Sequence, residues 1–333
     1  GRAAFVRTAE GRLQLKTKLL VIGGPTASGK SAAAIRCALR LGGEIISADS
    51  MQLYRSMDIG TAKPDAHERA LAAHHLIDVL DPASAGADLA DYTAMCADAI
   101  ADIAGRGAVP ILCGGTGLYI DTLISGTVLS DSASSLELRA ELSRFAEENG
   151  AKVLHDRLAS IDPASAAATH ANNVRRVIRA IEIYETTGIT KTEWDRRSVA
   201  AESPYDARVF VLTFEDRELL RRRIDSRVDL MMEQGLEKEV RALYDAGKLV
   251  GDSVASQAIG YKEFLPYFRG EITLAEAVEE IKNATRRYAK RQMTWFRRNK
   301  NAVEIRADED GRIRSSDDIA DEICEKFADG DAH

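Results

Sequence analysis

A phosphate-binding loop is the part of this sequence whose residue types and spacing say most about chemistry. Residues 24–31 read GPTASGKS and match the G-x-x-x-x-G-K-[ST] pattern, with an apolar run before them and a helix-favouring stretch after them. The glycines of such a loop let backbone N–H groups point at an anion, the lysine adds a positive charge, and the last hydroxyl can bind Mg²⁺. The alternative is a chance match on a glycine-rich turn. The pattern predicts a site for a phosphorylated ligand without identifying that ligand.

Two more polar residues stand where a predicted strand ends. Asp49 closes the run EIISAD, and Thr116 follows the run VPILCGG inside the turn GGTGLY. Because ligand-contacting residues emerge from the carboxyl ends of the strands in doubly wound folds, Asp49 is expected to face the phosphate loop. Its carboxylate suits a general base or a Mg²⁺ ligand, and the Thr116 hydroxyl suits a contact to a phosphate or bridging oxygen. The alternatives are a turn-initiating aspartate and a threonine that caps a helix.

The elements that must position these residues indicate an α/β fold. Short apolar runs separated by helical stretches are typical of buried parallel strands joined by helical crossovers. The predicted strands are 19–24, 44–49, 75–80, 109–115, 208–214 and 302–306. The predicted helices include 136–150, 172–188, 216–234, 236–246, 273–298 and 316–328. The expected fold class is a P-loop NTPase-like α/β core with a mostly parallel sheet and helices on both faces.

An insertion interrupts this core between the fourth and fifth predicted strands. About 90 residues there show helical periodicity and no convincing strand. We therefore predict an inserted all-helical domain over residues 128–200, within a discontinuous core formed by 19–127 and 201–333. Residues 1–18 precede the first predicted strand and lack a starting Met, and they are expected to be a disordered extension.

The cysteines and the hydropathy limit the class of protein. Cys37, Cys96, Cys113 and Cys324 lie far apart without a C-x-x-C pair, which argues against a zinc site or a disulfide framework and suits a reducing compartment. No stretch approaches the roughly 20 continuous apolar residues of a membrane span. No signal-peptide pattern opens the sequence. The expected location is the cytoplasm.

Basic clusters point to a nucleic-acid partner in spite of a net charge of −7. Residues 301–333 hold eleven acidic and four basic side chains, so that residues 1–300 balance at 41 of each. Within them, residues 284–300 carry seven basic side chains and no acidic one, with Tyr288 and Trp295 interleaved. Two more clusters are Arg175, Arg176 and Arg179, and Arg221, Arg222 and Arg223. Local charge density governs binding to a phosphate backbone more than net charge does. The alternative for each cluster is a solvated helix face.

These segments together resemble one family, the bacterial tRNA dimethylallyltransferases, also called tRNA isopentenyltransferases. The resemblance covers roughly residues 19–300 in eight ordered blocks, and their order makes the set far more specific than any one block. The blocks are GPTASGKS (24–31), SADSMQLYRSMDIGTAKP (47–64), HHLIDVLDP (74–82), GGTGLYIDTLISG (114–126), RRVIRAIEIYETTG (175–188), RRIDSRVDLMMEQGLEKEV (222–240), QAIGYKE (257–263) and ATRRYAKRQMTWFR (284–297).

The resemblance implies transfer of a dimethylallyl group from dimethylallyl diphosphate to the exocyclic amine of an adenosine in tRNA. That adenosine lies immediately 3′ of the anticodon in tRNAs that read codons beginning with U. In the family the phosphate loop holds the diphosphate of the prenyl donor, and Mg²⁺ is the implied cofactor with Ser31 as its ligand. The inserted helices are implied to clasp the anticodon stem-loop, from which the adenosine must leave its stack.

The resemblance also implies roles for particular residues. Asp49 matches the general base, Thr116 matches a threonine on the bridging oxygen, and Arg223 matches a cation on the diphosphate. The implied diphosphate-binding residues are Gly24, Pro25, Thr26, Ala27, Ser28, Gly29, Lys30 and Ser31. The implied tRNA-binding residues are Asp49, Ser50, Met51, Gln52, Thr116, Arg139, Arg175, Arg176, Val177, Ile178, Arg179, Gln257, Ala258, Ile259, Gly260, Tyr261 and Lys262.

Three other functions are compatible with parts of the sequence. A P-loop small-molecule kinase fits residues 24–31 and the α/β core but leaves the basic clusters and the insertion unused. An RNA-binding ATPase fits the basic clusters but leaves Asp49, Thr116 and Arg223 without a task. An adenylate isopentenyltransferase would share the phosphate loop and the aspartate, whereas the long basic insertion favours a tRNA substrate. The chain is expected to be a monomer.

Overall fold

The structure is a computed structural model that describes residues 5–7, 13–84, 86–127, 135–198, 202–249 and 253–329. The chain divides into two compact units, a larger one formed by Gly1–Ile124 with Pro204–His333 and a smaller one formed by Ser125–Ser203. The strands are β1 (Phe5–Arg7), β2 (Leu13–Leu15), β3 (Thr17–Gly23), β4 (Gly43–Ser47), β5 (His74–His75), β6 (Val109–Gly114), β7 (Tyr205–Thr213), β8 (Val303–Arg306), β9 (Asp308–Glu309) and β10 (Arg312–Ile313). The helices are α1 (Lys30–Leu41), α2 (Ala66–Leu71), α3 (Leu89–Gly105), α4 (Gly117–Ile124), α5 (Leu136–Asn149), α6 (Ala151–Ile161), α7 (Pro163–Ala168), α8 (Val174–Thr187), α9 (Lys191–Ser198), α10 (Arg217–Gln234), α11 (Leu236–Asp245), α12 (Phe264–Phe268), α13 (Leu274–Phe296) and α14 (Ser316–Asp329).

A six-stranded sheet in the order β5-β4-β6-β3-β7-β8 is the framework of the larger unit, and its neighbouring strands pair in parallel. Side chains alternate along β3, so that Leu20 and Ile22 pack with α1 and α14 while Leu19 and Val21 pack with α3 and α4. Both faces of the sheet are therefore covered by helices, as uniformly apolar parallel strands require. The predicted fold class is confirmed.

The strand order brings the three chemically informative segments to one edge of the sheet. The phosphate loop leaves the carboxyl end of β3, Asp49 follows β4, and Thr116 follows β6. Because β6 lies between β4 and β3, the turns after these three strands are neighbours.

The strand predicted over residues 75–80 is wrong, because β5 is only two residues long. Leu76 and Asp78 have left-handed backbone conformations, with φ of 59° and 62°, which an extended strand cannot contain. The Asp78 carboxylate accepts hydrogen bonds from Lys63 Nζ at 2.5 Å and from Arg69 Nη2 at 3.0 Å. Ion pairs made by side chains distant in sequence therefore fix a turn where the apolar pattern favours a strand.

The prediction of a disordered extension over residues 1–18 is corrected where the chain is described. β1 and β2 pair as an antiparallel hairpin. β3 begins at Thr17, whose N–H donates to Pro204 O at 3.0 Å and which pairs with Tyr205 of β7. Pairing with a strand from the distant part of the chain thus extends β3 by two residues beyond the apolar run.

The smaller unit is helical in the part that the structure describes, and it consists of α5–α9. Its core is formed by apolar faces of α5, α6 and α8, with Leu142, Leu154, Leu158, Val177 and Ile181 at the centre. The boundaries predicted for an inserted domain, at residues 128 and 200, lie outside the described residues. Of the helices described in either unit, none is long and apolar enough to cross a membrane.

Candidate active site

The phosphate loop leads directly into the N-terminus of α1. Gly24 and Gly29 have φ of 145° and 90°, conformations that residues with a Cβ rarely adopt, so the turn itself requires both glycines of the motif. Lys30 is the first residue of α1, and its Nζ donates to Pro25 O at 3.3 Å. The first N–H groups of a helix have no intrahelical acceptor, so the loop and the helix end together form an anion site.

Three half-buried cations surround this loop. Burial lowers the pKa of Lys30, and the nearby Arg227 lowers it further, whereas Cys113 and Asp49 act in the opposite direction. Burial also lowers the pKa of Arg223, and it is the largest of the causes that lower the pKa of Arg227. Cations held together away from water are stabilised by an anion. The Asp49 carboxylate has this effect, because it raises the pKa of both Lys30 and Arg227. The positive charge at the site therefore favours binding of a polyanionic ligand.

Asp49 has one carboxylate oxygen available for chemistry. Its Oδ1 accepts the Met51 N–H at 2.9 Å, the geometry of a turn-initiating aspartate. The structure gives the other oxygen no hydrogen bond from any described residue. Asp49 also lines a cavity of about 310 Å³, beside Thr26 of the phosphate loop. The residue therefore holds its turn with one oxygen and presents the other to the cavity region.

Thr116 is fixed against the Asp49 segment. The Thr116 N–H donates to Ala48 O at 3.1 Å, and the Ser50 N–H donates to Thr116 Oγ1 at 3.3 Å. These contacts hold the turn after β6 in register with the turn after β4.

Arg223 lies against the phosphate loop, and its two neighbours do not. Its Nε donates to Ala27 O at 2.8 Å. Arg221 and Arg222 are exposed, at 3.8 Å from Glu218 and 3.7 Å from Asp216 respectively. Successive residues of a helix point about 100° apart. The basic run therefore separates into one arginine at the site and two on a solvated face.

The cavity beside the phosphate loop gathers residues from six segments of the larger unit. Its lining is Thr26, Asp49, Ser50, Met51, Gly60, Thr61, Arg227, Val228, Met231, Gln257, Ala258, Ile259, Gly260, Lys262, Ile281, Thr285, Tyr288 and Arg291. The segments 49–51 and 257–262, which the sequence places over two hundred residues apart, thus meet at one place. Its lining combines charged and polar groups with apolar side chains, as expected for a small-molecule site.

Two of the predicted tRNA-binding side chains in these segments are engaged within the protein. The Gln52 amide accepts from Ser47 Oγ at 2.7 Å and donates to the carbonyls of Thr61 and Ala62 at 3.2 Å each. Tyr261 is fully buried and donates its hydroxyl to Glu239 at 2.6 Å. The prediction for the Tyr261 side chain is corrected, since a buried ring cannot contact RNA.

The sequence analysis missed Arg227 and one face of α13. Arg227 follows Arg223 by one helical turn, so the i, i+4 spacing was the signal that both face the site. Ile281, Thr285 and Tyr288 line the cavity, and their spacing of four and three residues defines one face of α13. The seven basic residues around them concealed this pattern.

The aromatic residues predicted to mark a nucleic-acid surface within 284–300 instead face the protein. Tyr288 lines the cavity, and Trp295 Nε1 donates to Asp121 Oδ2 at 2.7 Å. A Cβ on Gly117 would lie 2.2 Å from the Trp295 ring, so the ring packs on the backbone of α4. Neither ring therefore belongs to the exposed basic face of this segment.

In the smaller unit the predicted tRNA-binding segment of α8 has two faces. Arg175 and Arg176 are exposed, and no described carboxylate pairs with either. Val177 is fully buried and Ile178 is 6% exposed, both within the core of the unit. The predictions for Val177 and Ile178 are corrected, because core side chains cannot reach an RNA.

Arg139 and Arg179 share a buried carboxylate. Glu182 is fully buried and accepts from Arg139 Nε at 2.8 Å and from Arg179 Nη1 at 2.6 Å. The Ser135 N–H donates to the same carboxylate at 3.0 Å. A buried carboxylate needs such partners, so both arginines stabilise the helical unit in addition to any contact they make outside it.

The fold and the site define an α/β P-loop protein whose phosphate loop, aspartate and arginines meet around one cavity. The family model described as IPP transferase matches residues 52–299, and the one described as isopentenyl transferase matches residues 17–78. The chain belongs to the IPP transferase family.

Individual relatives agree with this assignment. A tRNA dimethylallyltransferase of Halalkalibacterium halodurans is 48% identical over 289 residues, which are 87% of this chain and 91% of the relative. The full-length structure of a tRNA isopentenylpyrophosphate transferase from Bacillus halodurans is 43% identical, with a TM-score of 0.67 over 96% of this chain and 100% of that one. A eukaryotic dimethylallyltransferase acting on tRNA is 31% identical, with a TM-score of 0.76 over 87% of this chain and 74% of that one. The predicted family resemblance is confirmed, and the chain is a prenyltransferase of this family.

Proposed function

We propose that this protein transfers a dimethylallyl group from dimethylallyl diphosphate to the exocyclic amine of an adenosine in tRNA. The adenosine proposed is the one immediately 3′ of the anticodon in tRNAs that read codons beginning with U. The single observation that carries the proposal is the meeting of a phosphate loop, a carboxylate and cations at one cavity. The tRNA and the dimethylallyl group rest on the names of the relatives.

The phosphate loop and its cations suit the leaving group of this reaction. When the allylic C–O bond breaks, negative charge accumulates on the departing diphosphate. Fixed N–H donors and cations aimed at that charge lower the barrier because they interact more strongly with the transition state than with the substrate. Lys30 and Arg223 are the proposed charge stabilisers, and Arg227 joins them from the next turn of α10. The Thr116 hydroxyl is the proposed contact to the bridging oxygen.

Asp49 is the proposed general base. An adenine amine is a weak nucleophile, so the new C–N bond forms more readily when a base takes one of the amine protons. The Asp49 oxygen that has no hydrogen bond among the described residues is the proposed proton acceptor. The products are then the prenylated adenosine and diphosphate, with the proton on the carboxylate.

The cavity lining suits both substrates. Met51, Val228, Met231 and Ile281 provide apolar surface for a branched five-carbon group, and Asp49 and Arg227 belong to the same lining. A base that must react at its exocyclic amine has to leave its stack, and an anticodon loop offers unpaired bases that can do so. We propose that Gln257 and Lys262 contact the tRNA near this cavity.

Mg²⁺ is the proposed cofactor, and the donor set at the loop fits it. Ser31 is exposed, and no described residue hydrogen bonds with its hydroxyl. Mg²⁺ prefers oxygen ligands and is commonly held by one or two protein groups together with substrate phosphates and water. Ser31 would hold the ion, which would supply further neutralisation of the diphosphate charge. Among the described residues no group of three or more His, Cys, Asp or Glu is arranged for a metal ion.

The remaining parts of the proposal concern the cell and the assembly. The reaction is proposed to take place in the cytoplasm, which a tRNA substrate supports. The protein is proposed to act as a monomer. Light scattering of the protein with and without tRNA tests the assembly separately from the activity.

One assay distinguishes this function from its rivals. The protein is incubated with unmodified tRNA, Mg²⁺ and labelled dimethylallyl diphosphate, and label in the tRNA is measured. Parallel reactions replace the tRNA by AMP, or the donor by ATP. Label in tRNA alone supports the proposal. Label in AMP would indicate an adenylate isopentenyltransferase, and phosphate release from ATP without prenyl transfer would indicate a kinase or an ATPase.

A further inference from the structure

Gln292 is a buried side chain that joins the two turns on which the proposed reaction depends. It lies on α13 and is 5% exposed. Its Oε1 accepts the Thr26 N–H at 2.8 Å, and its Nε2 donates to Gly115 O at 3.0 Å. Thr26 belongs to the phosphate loop, and Gly115 directly precedes Thr116. One amide therefore spans the gap between the turn after β3 and the turn after β6.

The neutral amide satisfies both partners at once, which an ionised carboxylate cannot do. A backbone N–H requires an acceptor and a carbonyl requires a donor, and a side-chain amide carries one of each. An ionised carboxylate of the same size would keep the bond to Thr26 and place negative charge against Gly115 O. A Cβ on Gly115 would lie 2.0 Å from Gln292 Nε2, so the glycine at this position leaves room for the bridge.

The bridge determines which groups remain for the ligand. The Thr26 N–H is occupied by Gln292, so this member of the phosphate loop is a structural contact and the later N–H groups face the anion. The loop is thereby held in one conformation before the donor binds. Tyr288, one turn earlier on the same face of α13, lines the cavity beside the phosphate loop. The face of α13 that carries Gln292 therefore also reaches the cavity.

We propose that Gln292 is a positioning residue for prenyl transfer, which sets the distance between the diphosphate held by the loop and the groups of Thr116 and Asp49. The inference rests on the proposed function and adds a residue to which the sequence patterns gave no role. It predicts an effect on turnover more than on substrate binding, because a misplacement of about 1 Å can cost up to about 10²-fold in rate while both substrates still bind.

The test compares Gln292→Met and Gln292→Glu with wild type and with Thr294→Ala. Thr294 is an exposed residue of the same helix, whose hydroxyl bonds only its own helix at Lys290 O among the described residues. We expect kcat to fall by about 10- to 100-fold in both Gln292 variants. KM for tRNA should stay within about twofold of wild type in both Gln292 variants. In Thr294→Ala, kcat and KM should both stay within about twofold of wild type, the scatter expected where no contact with substrate changes.

The pH profile separates positioning from general destabilisation. Burial raises the pKa of a carboxyl group, so a buried glutamate becomes protonated at a higher pH than an exposed one. Once protonated, it offers a donor and an acceptor as the amide does. The activity of Gln292→Glu relative to wild type should therefore rise as the pH is lowered from about 8 to about 6. The ratio for Gln292→Met should not change with pH. Thermal unfolding of each variant is measured alongside. If Gln292→Met does not fold, Gln292→Glu, which keeps the bond to the Thr26 N–H, tests the proposal by itself.

The outcomes separate the two proposals. If wild type transfers no prenyl group to tRNA, the proposed function is wrong. If wild type is active and kcat of both Gln292 variants is within twofold of it, or only KM changes, the positioning role is wrong. A reduced kcat that shows the predicted pH-dependent recovery in Gln292→Glu supports it.

Discussion

Asp49 and Asp81 show why a local pattern cannot separate a turn residue from a catalytic one. Each accepts the N–H two residues further on, Asp49 from Met51 at 2.9 Å and Asp81 from Ala83 at 2.8 Å. Asp81 is exposed, whereas Asp49 lines the cavity and raises the pKa of Lys30 through its negative charge. The difference lies in what the fold places around each carboxylate, and the two residues form a matched pair for experiment.

Replacing Asp49 by Asn keeps the size and the turn but removes the proton acceptor. We expect turnover to fall by about 10²- to 10⁴-fold, the range for loss of a general base. Binding of tRNA should change much less, because a polar side chain remains at the position. Single-turnover rates and a tRNA binding titration measure the two effects. Asp81→Asn is the control and should leave both unchanged; normal turnover in Asp49→Asn would make Asp49 a turn residue only.

Arg223 and Arg221 form a second matched pair, on one helix but on different faces. Arg223→Ala should lower the rate by at least about 10²-fold, because the guanidinium against the phosphate loop stabilises charge on the leaving diphosphate. Arg223→Lys should recover part of this loss, since a single ammonium lacks the two-pronged geometry of arginine. Arg221→Ala should change little. Steady-state kinetics with varied donor concentration decides the matter, and equal mild effects at both positions would contradict the assignment.

At the scale of elements, the sequence predicted what local chemistry determines. The phosphate loop, the parallel core and the helix ends at Gly150 and Gly188 follow from apolar runs and capping residues, and the structure has them. Contacts between distant segments were not predictable. Glu239, for example, accepts the N–H groups of Asp58, Ile59 and Gly60 at 2.8–3.1 Å, and no local signal in either segment marks that partnership.

The same limit explains the errors at the candidate site. The resemblance assigned residues 175–179 to tRNA as one run, yet a helix turns by about 100° per residue. Val177 and Ile178 consequently face the core while Arg175 and Arg176 face outward. A run of five helical residues cannot present all its side chains to one partner, so the helical period could have corrected this prediction before the structure did.

An ion-paired cluster connects β4, β5 and the end of α3, and it gives the fold a pH dependence. The Glu44 carboxylate accepts from Arg106 Nη2 at 2.9 Å and lies 2.7 Å from His75 Nε2. Hydrogen bonds from Arg106 are the main reason that the pKa of Glu44 is lowered from 4.5 to about 2. A carboxyl with a lowered pKa stabilises the fold above its unfolded-state pKa, and this contribution is lost as the pH falls from about 5 to about 2.

Glu44→Gln should therefore destabilise the larger unit by about 1–2 kcal/mol at neutral pH, allowing for solvent screening at the exposed Arg106. The difference from wild type should shrink as the pH falls below about 4.5. Urea unfolding at several pH values measures it. The control is Asp102→Asn, which removes an exposed helical pair with Arg106 and should cost at most about 0.5 kcal/mol. An equal difference at every pH would mean that packing, and not the charge, is responsible.

At the scale of the whole molecule, the negative net charge is concentrated where it stabilises the fold. Three acidic residues of α14 pair with basic ones: Asp317 and Asp321 with Arg40 of α1 at 3.0 and 2.7 Å, and Glu322 with Arg314 at 2.8 Å. Ile319 and Ile323 of the same helix are buried against α1. The acidic end of the chain thus supports the helix that carries the phosphate loop, and the overall charge of −7 says little about the surface that meets RNA.

Affinity for tRNA should accordingly fall steeply with salt despite the net negative charge, because each phosphate contact releases counterions. Arg175 and Arg176 are the residues of choice for testing the smaller unit, since changing Arg179 would also expose the buried Glu182. The double variant Arg175→Gln/Arg176→Gln should reduce the slope of log affinity against log salt by about 1.4 to 1.8, if each guanidinium contacts one phosphate.

The control for that measurement is Arg196→Gln/Arg197→Gln, which removes the same charge from the same unit. Both of these arginines pair with Glu193, at 2.7 and 2.6 Å, so part of their charge is already offset within the protein. Filter binding over a series of salt concentrations gives the slope for each protein. Because the two double variants have equal net charge, a general electrostatic effect would lower both slopes alike. A slope reduced only in the α8 variant places that face of the helical unit on the tRNA backbone, and equal slopes in all three proteins would remove it from the interface.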